Sequence, residues 1–109
     1  MSVRASVKIT NSNDEAVFLF HHWDGYPEYV GNILKDILDK EPSWSNIRRY
    51  ASSLIKHMER INDEEVGEGF ILTDWFSILD EYEYIVDFDK KTIKYIHFVM
   101  CGNSEWKEL

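Results

Sequence analysis

Polar and apolar residues alternate from the first few positions of the chain. Val3, Ala5, Val7 and Ile9 interleave with Arg4, Ser6, Lys8 and Thr10, a period of two that predicts a half-buried strand. Asn11-Ser12-Asn13-Asp14 reads as a turn, because short polar side chains hydrogen-bond their own backbone. Ala16 to Trp23 is apolar on both faces until His21 and His22 interrupt it, which predicts a central strand paired with the first as a hairpin. The period then lengthens. Pro27 suits the first position of a helix, Glu28 complements the helix dipole, and Val30, Ile33, Leu34, Ile37 and Leu38 form one apolar stripe. Pro42 ends that helix, and Ser43 is the expected N-cap of a second. In the second helix Ile47, Tyr50, Ala51, Leu54, Ile55 and Met58 form the buried stripe, while Arg48, Arg49, Ser52, Lys56, Glu59 and Arg60 face away.

Residues 62–69 read as an acidic, Gly-containing loop. Residues 70–80 allow two readings: a short strand at Phe70-Ile71-Leu72, or a helical turn capped by Thr73 or Asp74 and carrying Trp75, Phe76, Ile78 and Leu79. A hairpin follows. Tyr82, Tyr84, Val86 and Phe88 alternate with Glu83, Ile85, Asp87 and Asp89; Asp89-Lys90-Lys91-Thr92 turns the chain; Ile93, Tyr95, His97 and Val99 alternate with Lys94, Ile96, Phe98 and Met100. From Gly102 onward the expectation is a frayed tail, with Trp106 a candidate to dock. The element order β-β-α-α-(β)-β-β implies a single α+β domain over residues 1–109. Its expected core is an antiparallel sheet of about four to five strands with two helices packed on one face.

Composition narrows the setting. The 109 residues are 44% hydrophobic and 15% aromatic, enough for a substantial core. No apolar run approaches the ~18 residues of a membrane span. The opening Met1-Ser2-Val3-Arg4-Ala5-Ser6 has no hydrophobic segment behind it, and Cys101 has no second cysteine to pair with, so a cytoplasmic protein is expected. Twenty acidic residues against 12 Lys plus Arg give a net charge of −8. That balance disfavours nucleic-acid binding by direct backbone contact, which needs a basic face.

The most unusual stretch is His21-His22-Trp23-Asp24-Gly25-Tyr26-Pro27, placed where a strand gives way to a helix. With its flanks, Ala16 to Gly31, it resembles the signature of small bacterial and bacteriophage proteins of uncharacterised function that carry a His-Trp-Asp-Gly-Tyr-Pro motif. In them an apolar strand runs into the motif and a helix with an early glycine follows. Glu81-Tyr82-Glu83-Tyr84-Ile85-Val86-Asp87 resembles their late aromatic strand. The resemblance implies a setting, the bacterial cytosol or that of a phage-infected host, rather than a reaction.

Three readings of the motif stand side by side, in descending order. In the first it is structural: Gly25 supplies an unusual backbone angle, Asp24 accepts backbone N–H groups, Trp23 and Tyr26 pack, Pro27 starts the helix, and His21 and His22 point to opposite strand faces. In the second it binds a ligand or partner through His22, Trp23, Asp24 and Tyr26, with the aromatics stacking and Asp24 accepting hydrogen bonds. In the third, His22 and Asp24 serve a hydrolase-type enzyme as base and orienting partner. No serine or cysteine nucleophile stands beside them, so no catalytic residue is assigned. Adjacent strand histidines do not share one metal easily, and His57 and His97 complete no recognised ligand spacing, so no metal or cofactor is assigned either.

Weaker signals are Cys101, read as an inert thiol; the Arg48, Arg49, Lys56, Arg60 face, read as solvated; and Tyr82, Tyr84 and Tyr95, read as cross-strand packing pairs. The function expected first is binding of a protein partner, for instance inhibition of a host or defence factor. A small-ligand or nucleotide-binding domain comes second and an enzyme third. A homodimer or a dedicated protein partner is expected, through the open sheet face or an edge strand. Elemental analysis of protein purified without added metal is expected to show no stoichiometric zinc, and one zinc per chain would overturn the unassigned metal.

Overall fold

The computed structural model describes residues 4–21, 25–58, 70–73, 82–97 and 106–109, together with the backbone of 59–61. Phe98, Met100, Cys101 and the possible helical turn at 74–80 lie outside these residues. The first two segments form the expected antiparallel hairpin, β1 (Ala5–Thr10) and β2 (Ala16–His21), with Val7 opposite Leu19. Its turn follows the predicted chemistry. The Asn11 side-chain carbonyl accepts from the amides of Asn13 and Glu15, and Asp14 takes the left-handed φ of 59°. The ambiguous segment supplies β3 (Phe70–Thr73), antiparallel to β2. The late hairpin is β4 (Tyr82–Asp87) and β5 (Thr92–His97), and β6 (Lys107–Glu108) adds a short pairing to β5. The segment expected to fray is therefore partly docked: the Leu109 amide donates to the Ile93 carbonyl at 2.9 Å, while Trp106 stays 43% exposed.

The class is α+β, but the expected antiparallel sheet of four to five strands is corrected. The sheet is mixed and six-stranded, in the order β3-β2-β1-β4-β5-β6. β1 and β4 pair in parallel, with Val7 opposite Tyr84 and Ile9 opposite Val86. Tyr82 donates to the Arg4 carbonyl and Phe88 to the Thr10 carbonyl, extending that ladder past both ends of the strands. The reason lies in burial. The alternation of the first strand suggested one wet face, yet Ser6 is 3% exposed and Lys8 and Thr10 are half-buried. Both faces of β1 are thus covered, as in a strand inside a sheet, and its second edge is taken by β4.

A single wide helical turn, Pro27–Gly31, leads into α1 (Asn32–Lys40), and α2 (Ile47–Ile61) follows. Glu41, the residue before Pro42, is extended and ends α1. The cap of α2 is Asn46 and not Ser43: its Oδ1 accepts from the amides of Arg48 and Arg49 at 3.0 Å each. Ser43 sits one turn too early to reach those N–H groups. Both predicted stripes are buried in the main, with Ile37 and Ile55 at the half-buried margin. α2 lies on β1, β2 and β3, where Leu34, Tyr50, Leu54 and Met58 join Val7, Ile9, Leu19, Tyr84 and Val86 in one core. The Tyr50 hydroxyl donates to the Leu34 carbonyl at 2.7 Å, locking one helix to the other, and burial raises its phenol far above the usual range.

The other sheet face is not bare. Ser6, Glu83 and Ile96 lie side by side across β1, β4 and β5, and all three are buried. Phe18 and Phe20 on β2 are half-buried. No helix among the described residues is long and apolar enough to cross a membrane.

Because β1 and β4 run in parallel, the two hairpin turns lie at the same end of the sheet, and Asp89 joins them. Its carboxylate accepts from the backbone amide of Ser12 at 2.8 Å and from the Ser12 hydroxyl. The Ser12 hydroxyl, then its amide, holds the carboxyl below the usual aspartate range. A lowered folded-state value means that this contribution to stability is present above about pH 4 and is lost as pH falls through the folded-state value. Asp89→Asn is therefore expected to melt below the parent at pH 7, with the gap narrowing toward pH 3. Melts at the two pH values check this, and a gap that widens with acid would remove the bridge.

Candidate functional site

The motif begins at the end of β2 and reaches the helix start, so the sheet and α1 hold its two ends. His22, Trp23 and Asp24 lie outside the described residues, and of the predicted site residues only Tyr26 is placed. His21 points inward, as alternation along the strand requires, and is 1% exposed. Its ring lies 5.3 Å from that of Phe70 and 6.1 Å from that of Tyr29, whose hydroxyl reaches the Met58 sulfur. His21 is thus built into the core between β3 and the first helical turn.

Gly25 is buried, and its carbonyl accepts a 2.6 Å hydrogen bond from the Tyr84 hydroxyl, which crosses from β4. Burial first, then the neighbouring Tyr82 and Glu28, raises the Tyr84 phenol far above its usual value, so it remains a donor at any ordinary pH. Tyr26 is extended, and its carbonyl accepts from Tyr29 and Val30 at 3.0 and 2.8 Å, which starts the helix just as Pro27 fixes φ. Downstream, Gly31 permits a close approach: a Cβ there would stand 3.0 Å from a Leu109 methyl. Leu109 therefore rests on the helix that carries the motif.

The Tyr26 side chain is 40% exposed and meets Tyr82 edge-on at 6.3 Å. Tyr82 lies flat on His97 at 4.3 Å, with 9° between the ring planes. Tyr84 and Tyr95, the next cross-strand pair, are 6.1 Å apart. The tyrosines read as packing pairs do pack, and Tyr82 and Tyr84 also support the motif. That second role was missed. Strand alternation and the turn at Asp89 are enough to align Tyr82 with His97, but nothing local to either segment says that residue 25 lands on residue 84.

Chemically, the described part of the site is an aromatic shelf of Tyr26, Tyr82 and His97 beside Gly25, whose carbonyl Tyr84 holds. It offers stacking surface and ring edges. Among the described residues no three His, Cys, Asp or Glu side chains stand together in a way that could hold a metal ion. Tyr84→Phe leaves a buried carbonyl without this donor and is expected to cost about 1–3 kcal/mol. Urea unfolding measures it, and a parental midpoint would mean that the bond contributes nothing. No family model, curated protein or solved structure matches this chain.

Proposed function

We propose that this chain is a small accessory protein of phage or prophage type that acts in the cytosol by binding a protein partner, in the manner of an inhibitor of a host or defence factor. The observation that carries the reading is the outer edge of β3. Among the described residues β3 is the last strand on its side of the sheet, and Leu72 is 64% and Ile71 48% exposed on it. Edge strands usually carry a lysine, a proline or a bulge that blocks further pairing. Phe70-Ile71-Leu72-Thr73 has no charge and no proline, in a chain with 29% charged residues. Ile71 and Leu72 project to opposite faces, so an added strand would cover both.

The occupant that fits is an extended, apolar-alternating segment of a protein partner, paired by its backbone with β3. Between the two routes expected from sequence, the edge is favoured over the second sheet face. That face holds buried Ser6, Glu83 and Ile96 and half-buried Phe18 and Phe20. The resemblance of residues 16–31 to the His-Trp-Asp-Gly-Tyr-Pro proteins supports the phage setting. The second reading, a small-ligand or nucleotide-binding domain at the motif, draws support from the exposed Tyr26 edge beside Tyr82 and His97.

Selection of a displayed peptide library on the immobilised chain tests the first reading. Enrichment of extended apolar-alternating peptides is expected, with affinity falling about tenfold or more in Leu72→Lys. An exposed substitution of this kind should change stability by only about 0.5 kcal/mol or less. No enrichment, or peptides that bind Leu72→Lys equally well, would sink the proposal. A concentration-dependent dimer abolished by the same substitution would assign the edge to a second copy instead.

A further inference from the structure

We infer that the groove between α1 and α2 is a binding site for a small phosphate ester with a planar ring, of the nucleoside monophosphate class. The groove is about 300 Å³ and is lined by Ile37, Lys40 and Glu41 from the end of α1 and by Ser53, Lys56 and His57 from α2. A second recess of about 140 Å³ adjoins it, sharing Ser53 and Lys56 and adding Arg49 and Ser52. The combined space suits a mononucleotide rather than a folded domain.

The charge is local and opposite to that of the whole protein. The net charge is −8, yet residues 47–58 hold Arg48, Arg49 and Lys56 and no acidic residue. These cations are not equally available. Arg48 pairs with Glu15 at 3.4 Å and Lys40 with Asp36 at 3.0 Å. Lys56 makes no ion pair with any described residue, although it stands in both recesses. Arg49 and Lys56 are seven residues apart, two turns and roughly 10 Å along one helix face. Ser52 and Ser53 fall between them. The Ser53 hydroxyl already donates to the Arg49 carbonyl, whereas Ser52 is exposed and makes no side-chain bond with a described residue. An ammonium, a guanidinium and a hydroxyl on one face match the several acceptor oxygens of a phosphate better than the two of a carboxylate.

Two features argue for a ring on that phosphate. Trp44 is 65% exposed and lies 4.3 Å beneath the Arg49 guanidinium, which places an open indole beside the cationic recess. Ile37 gives the groove an apolar wall. Two features argue against a polynucleotide. Glu41, whose carboxylate accepts from Ser45, stands in the lining, and the chain as a whole carries a net charge of −8. A long polyanion would meet repulsion on leaving the groove.

The test titrates the full chain, labelled with nitrogen-15, with adenosine monophosphate, inorganic phosphate and adenosine at constant ionic strength. Saturable amide shifts at Arg49, Ser52, Ser53 and Lys56 are expected with the monophosphate, weaker ones with phosphate, and none with adenosine. Lys56→Glu, at an exposed position, should keep the parental melting temperature and weaken the monophosphate about tenfold or more. Equal affinity for phosphate and the monophosphate would keep the anion site and assign it to free phosphate. No saturable shift at millimolar concentration, shifts unchanged in Lys56→Glu, or binding of a glutamate-rich peptide in place of both phosphates would overturn the inference.

Discussion

A central strand has two edges that need partners and two faces that need cover, and β1 meets all four demands at once. β2 satisfies one edge and β4 the other. Ala5, Val7 and Ile9 face the helices, while Ser6 is buried on the reverse. The remaining elements take their places from this strand. β3 is reached through β2 and becomes one edge. β5 and β6 continue from β4 toward the other. The parallel sense of β1 and β4 also brings both hairpin turns to one end and leaves the opposite end to the motif, where Tyr84 can reach Gly25.

The sequence was legible wherever the determining interactions were local. Helical stripes, the polar turn at Asn11, the proline that opens one helix and the proline that follows its end all act within a few residues, and their elements lie where the pattern puts them. The N-cap of α2 was misread because serine and asparagine offer similar chemistry, and only the position of the first free amides distinguishes Asn46 from Ser43. Strand sense was beyond local reading. Alternating residues look the same in parallel and antiparallel pairs, and the polar set of β1 suggested a wet face that proximity to Glu83 and its neighbours removes. For the motif, the inward turn of His21 followed from alternation, whereas its enclosure by Phe70 and Tyr29 depended on a strand and a helix far apart in the chain.

The two proposed surfaces differ in kind. The β3 edge offers backbone pairing and two large apolar side chains. The α1–α2 groove offers fixed charge beside an exposed indole, and α2 stands between them, its buried stripe on the sheet and its basic face outward. In a protein whose net charge repels anions, Arg49 and Lys56 stand together at two adjoining recesses on one helix face. Selectivity for a small anion over a large one is then a matter of geometry, since only a small anion fits within the short reach of that local field.

The parallel pairing of β1 with β4 also sets a clock. β1 finds β2 across a short turn, but its second edge must wait for a segment more than seventy residues further on. Closing a loop that long costs entropy before the contact returns anything, so this pairing belongs to the slow, late part of folding. During synthesis both strands of the first hairpin are made well before β4. For that interval β1, the most buried strand of the finished protein, lacks its second partner, and an unpaired strand edge is a general route to mispairing between copies.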